Sequence, residues 1–149
     1  MKKLNDIKDL KGGDVSVVTI SSDSYDDFLL RLFKDFSKGG KQLVFVSATR
    51  SQMDFNNLLK ENKIKPQNLC FIDTVTKLSG EVLKNKSRIM YVEHPSDLTE
   101  ISIDITSCVE KYKNNVLVLD SLTTFFLYNN PTDLFKFIHI ISQKAKKIK

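Results

Sequence analysis

The feature that most constrains this chain is the run of residues 116–119, Val-Leu-Val-Leu, which leads straight into Asp120-Ser121-Leu122-Thr123. Four consecutive aliphatic residues leave no polar face, so a strand built from them is buried on both sides. That environment belongs to a parallel sheet covered by helices, not to an antiparallel sheet with one wet face. An acid at the C-terminal end of such a strand lies where open α/β sheets bind ligands.

The rest of the chain repeats the pattern. Residues 15–20 (VSVVTI), 42–47 (QLVFVS), 69–73 (LCFID) and 88–93 (RIMYVE) are apolar or β-branched and bounded by turn residues. Between them run helical stripes. Tyr25, Phe28, Leu29, Leu32 and Phe36 follow a predicted cap at Ser24, with Asp27 three residues on. Phe55, Leu58 and Leu59 follow Ser51 and Asp54, and that helix is expected to reach about Asn62. Leu98, Ile101, Ile105, Cys108 or Val109, and Tyr112 follow Asp97 and Glu100. Leu134, Ile138, Ile141, Ala145 and Ile148 follow Asn130-Pro131, a cap with proline at the first helical position. Residues 1–14 read as polar lead-in closed by a turn at Gly12-Gly13-Asp14, and residues 74–87 give no clear element.

Strand and helix therefore alternate, which predicts an α/β fold with a mostly parallel, five-stranded sheet. At 149 residues the chain is expected to be one domain, 1–149. If the strands are parallel, their C-terminal ends gather a single crevice. Its candidate ligand residues are Asp120, Ser121, Thr49, Arg50, Glu93, His94, Ser21 and Ser22. Arg50 is the exposed guanidinium best suited to a carboxylate or phosphate.

At this point a family resemblance is visible. VLVLDSLTTFFLY resembles the second nucleotide-binding motif of RecA-like ATPases of the KaiC type, in which an apolar strand ends in Asp-Ser-Leu-Thr. HPSDLTEISIDI and LFKFIHII are similar to uncharacterised archaeal proteins regarded as degenerate relatives of that ATPase. The resemblance spans roughly residues 12–148. It implies a three-layer, P-loop NTPase-type fold, with Asp120 in the place of the aspartate that helps hold the magnesium of ATP. Such a domain normally continues into further strands, so the sheet is expected to be shortened at the C-terminus.

The phosphate loop of that family needs glycines, whose backbone amides close around phosphate, and a lysine. The corresponding place reads Ser21-Ser22-Asp23-Ser24-Tyr25-Asp26-Asp27, without either. Three carboxylates crowd the helix N-terminus that would receive the anion. One carboxylate about 5 Å from a phosphate charge costs roughly 3 kcal/mol at an effective dielectric near 20. Gly39-Gly40-Lys41 is not a substitute, because it follows a helix and precedes a strand; it reads as a helix stop. The family's catalytic glutamate after the second strand is also missing, the place being taken by Ala48-Thr49-Arg50. The resemblance thus implies a pseudo-ATPase: no catalytic residue, no metal site, no cofactor, and a binding or regulatory role.

Two further readings stay open. A divergent ATP-binding protein or ATPase would use ATP and magnesium through Asp120, with Arg50 replacing the lysine. A nucleic-acid adaptor would use the net charge of +5 and the terminal cluster Lys144, Lys146, Lys147 and Lys149. The leading reading expects a protein partner or homo-oligomer. No apolar run approaches the roughly 20 residues that cross a bilayer, and no secretory leader is visible, so a cytoplasmic location is expected. Cys70 and Cys108 read as buried apolar groups, His139 as packed or solvated, and residues 125–128 (FFLY) as core.

Overall fold

The computed structural model describes residues 10–38, 40–113 and 115–147. Its sheet has four parallel strands, β1 (Gln42–Ser47), β2 (Leu69–Asp73), β3 (Ile89–Tyr91) and β4 (Asn115–Asp120), in the order β3-β2-β1-β4. Five α-helices are present among the described residues: α1 (Tyr25–Lys38), α2 (Gln52–Glu61), α3 (Leu98–Lys111), α4 (Leu122–Tyr128) and α5 (Pro131–Lys147).

Side chains alternate along each strand and so build two cores. Leu43, Phe45, Phe71, Val116 and Val118 pack under α1 and α2. Val44, Val46, Cys70, Ile72, Leu117 and Leu119 pack under α3, α4 and α5. The first core is knit by four rings: Phe33 meets Phe55 at 4.7 Å and Phe45 meets Phe71 at 5.6 Å between centroids. Such aromatic pairs add about 0.5–1.5 kcal/mol each beyond the area they bury. The second core contains Ile101, Ile105, Phe125, Leu134, Phe137 and Ile141, all buried. The result is a three-layer α/β sandwich.

Several local readings hold. Ser51 accepts from the Asp54 amide, Asp97 from the Glu100 amide, and Asn130 from the Asp133 amide, which caps α2, α3 and α5 as their sequences predict. Gly40 has a φ of +64°, in keeping with a chain that stops a helix there; Gly39 lies outside the described residues. Cys70 and Cys108 are buried.

Other expectations are corrected. Residues 15–20 form no strand: the segment is unpaired, and Val15, Val17 and Val18 are 58%, 78% and 43% exposed. Strand propensity is realised only where side chains find packed neighbours, and these valines stay largely exposed, so among the described residues the sheet has four strands and not five. The fourth predicted strand shrinks from 88–93 to Ile89–Tyr91. As an outer strand it pairs on one side only, and Lys86 folds back to bridge Ile89. Ser24 lies in a 3-10 turn (Ser22–Ser24) that leads into α1, and its hydroxyl accepts from that of Ser21. Of the aromatic stretch expected in the core, only Phe125 is buried; Phe126, Leu127 and Tyr128 are exposed because the seven-residue α4 turns one face inward. Along α5, Phe137 is buried where the stripe named Ala145, which is exposed; Ile148 lies outside the described residues.

Candidate functional site

The strand register places Ser47 beside Asp73 on one side and Asp120 on the other, so the C-terminal ends of three strands form one row. The chain leaves β1 toward α2, on one face of the sheet, and leaves β4 toward α4 and α5, on the other. Adjacent parallel strands whose loops diverge to opposite faces open a crevice between them, the usual ligand position of open α/β sheets. Thr49 and Asp120 stand at that point.

Asp120 is nearly buried, at 7% exposure, and its carboxylate is already engaged. Thr49 Oγ1 donates to Asp120 Oδ2 at 2.6 Å, and the Tyr25 hydroxyl donates to the same oxygen. Tyr25 and Thr49 also lie 3.1 Å apart, oxygen to oxygen. Burial, and then the bond to Asp120, push the Tyr25 phenol above its ordinary pKa, which keeps it a donor. Arg50 lies over the Tyr25 ring, 5.3 Å from its centroid, and its guanidinium is paired with Asp26 at the start of α1. The Ser121 hydroxyl turns away to cap α4, accepting from the Thr124 amide at 3.3 Å.

The predicted crevice residues are therefore only partly assembled. Asp120, Thr49 and Arg50 come together, with Ser121 adjacent in the chain. Ser21 and Ser22 are exposed in the turn before α1, and no hydrogen bond among the described residues joins them to Asp120. Glu93 is paired with Lys77 at 2.7 Å and is largely exposed. His94 bonds Ser96 through Nδ1 and presents its ring to Tyr128 at 5.1 Å. Neither reaches Asp120. A surface depression of about 620 Å³ lies elsewhere, lined by Ile103, Thr106, Ser107, Glu110, Lys111 and Lys144. Lys144, one of the terminal lysines, is tied there to Thr106 at 2.7 Å. Among the described residues no group of three or more His, Cys, Asp or Glu side chains is placed to hold a metal ion.

Two residues of this region were not picked out as site residues from the sequence. In sequence Tyr25 belongs to the apolar stripe of α1, yet a part-buried phenol needs a hydrogen-bond partner, and its position at the helix start aims it at the strand ends. Asp26, in sequence a helix-start acid, holds Arg50.

The fold and this row of strand ends define a parallel, three-layer α/β domain with a switch point at β1 and β4. The chain belongs to a protein family described as a family of unknown function, DUF7504, whose model matches residues 13–149. Comparison with curated proteins gave no match, and comparison with solved structures gave none. Among the described residues no helix is long and apolar enough to cross a membrane.

Proposed function

We propose that this domain is a catalytically inactive relative of RecA/KaiC-like ATPases that works as a cytoplasmic binding or regulatory module. The observation that carries the reading is the occupied state of Asp120. Its carboxylate, the group that would help hold a nucleotide's magnesium, accepts two hydroxyl donors from its own chain. The cation that would have to replace the missing lysine, Arg50, is neutralised by Asp26. A nucleotide would need to displace both arrangements and then face Asp23, Asp26 and Asp27, all exposed about the start of α1. Each such carboxylate opposes a phosphate placed at the start of α1, by an amount that solvent screening reduces because these groups are exposed. Exposed Phe126, Leu127, Tyr128 and Phe135, beside the crevice loops, support a role in contacting another protein.

Titration calorimetry with ATP and magnesium tests the reading. The expected result is no heat of binding up to millimolar nucleotide. Micromolar binding that is lost on Asp120→Ala would overturn it and establish the nucleotide-binding alternative.

A further inference from the structure

Three sulfur atoms meet on the α3 side of the sheet. Cys70 lies on β2 two residues before Ile72, and Ile72 is the register partner of Met90 on β3. Cys70 and Met90 are therefore diagonal neighbours on one face, both packed into the same core. Cys108 reaches them from α3. Its Sγ lies 4.0 Å from Met90 Sδ, and its thiol is a hydrogen-bond partner of the Cys70 thiol. Both thiols are free and buried. Met90 is only half-buried and marks the side of the cluster nearest to solvent.

The charges around the cluster favour a thiolate and a cation together. The hydrogen bond from Cys108, and then the Arg88 and Lys111 charges, hold the Cys70 pKa down against the opposing effect of burial. The same bond, with burial, leaves a proton on Cys108. One turn earlier on α3, Asp104 has a buried Oδ2 without a hydrogen-bond partner, and its charge acts on Cys108. A carboxylate left in that state favours positive charge beside it.

We propose that Cys70, Cys108 and Met90 form a three-coordinate site for a soft monovalent cation, Cu(I). Thiolate and thioether sulfurs select that ion over harder divalent ones. Methionine completes the set, since His, Cys, Asp and Glu alone make no such group among the described residues. Metal–thiolate bonds are about 2.3 Å long, and three of them in one plane hold their sulfurs about 4.0 Å apart. The Cys108–Met90 separation already has that value, so an ion enters without parting β3 from α3. Binding forms two bonds to thiolates and one to the thioether, sends the proton of each thiol to solvent and leaves copper in its +1 state. Arg88 and Lys111 offset the single negative charge that results. The inference does not rest on the functional reading above, because no residue of the cluster belongs to the row formed by Ser47, Asp73 and Asp120.

The test titrates the reduced, full-length chain anaerobically with Cu(I) against a chromogenic competing chelator. One Cu(I) per chain should be retained, and its X-ray absorption spectrum should show three sulfur neighbours at about 2.3 Å. That spectrum is read on the parent chain and depends on no variant. Cys108→Ser should weaken retention at least about a hundredfold. Met90→Leu conserves volume at a half-buried position, so the circular dichroism spectrum should be kept while retention falls about tenfold. Failure to retain copper, a shell of nitrogen or oxygen neighbours, or retention unchanged in either variant would overturn the proposal.

Discussion

Asp73 and Asp120 end the two strands that flank β1, in the same row of the sheet, and each is buried. Their surroundings differ in kind. Asp73 is fully enclosed and accepts four hydrogen bonds: from the amides of Gln52, Val75 and Thr76 and from the Thr76 hydroxyl, at 2.6–2.8 Å. Three of its donors are main chain, so the carboxylate fixes the course of two loops. Asp120 takes two side-chain hydroxyls, from a part-buried Tyr25 and an exposed Thr49. Those donors can turn to water or to a ligand without unravelling any loop. One acid is a structural hub, and the other is a strand-end carboxylate satisfied by two side-chain hydroxyls.

The largest expected effect tests the hub. Asp73→Ala leaves three amides and a hydroxyl without their acceptor in an enclosed place, at a cost of about 4 kcal/mol. Denaturant unfolding measures it. A loss below about 1 kcal/mol would show that water enters and takes over the four bonds, and the distinction between the two acids would fail.

The middle effect tests the strand-end carboxylate. Asp120→Ala should lower stability by only about 1–2 kcal/mol, because its partners can be rehydrated. Tyr25→Phe should lower it by about 1 kcal/mol, and the double variant by less than the sum, since both delete the same bond. If Asp120→Ala matched Asp73→Ala, Asp120 would be a second structural hub and the distinction between the two acids would fail.

These differences trace to what a sequence can and cannot carry. The two-sided burial of β1 and β2 was legible because unbroken apolar runs have one physical solution; β4, with the same kind of run, packs on both faces but lies at the end of the sheet and is only half-buried. The caps at Ser51, Asp97 and Asn130 were legible because they are made within three residues. Residues 15–20 had the right composition for a strand, but pairing depends on a neighbour that composition does not name. The acids at the strand ends were visible, yet not their fates. Asp73 meets its donors at the start of α2, at Gln52, and in a loop, residues 74–87, that has no period to read. Asp120 meets Tyr25 from 95 positions away in the chain. Arg50 reads as free for the same reason, since its partner Asp26 lies 24 positions away at the start of a helix.

A third acid shows what the donors do for the other two. Asp104, half-buried on α3, has an Oδ2 with no hydrogen-bond partner. Burial, and then the neighbouring Glu100 charge, lift its pKa from 3.8 to about 6, with Lys77 acting weakly in the opposite direction. The folded chain therefore holds this proton more tightly than the unfolded chain does, between about pH 4 and pH 6. The stability gained from protonation is fully present below the unfolded pKa and is lost as pH rises through the folded one. Asp104→Asn removes the penalty, so the variant should exceed the parent at neutral pH and lose that advantage toward pH 4.5. Because Asp104 is half exposed, solvent screening limits the effect to the order of 1 kcal/mol. Unfolding free energies for parent and variant at about pH 7.5 and about pH 4.5 decide it. A difference that does not change with pH would mean that Asp104 has found a donor, and would remove the contrast with the two acids at the strand ends.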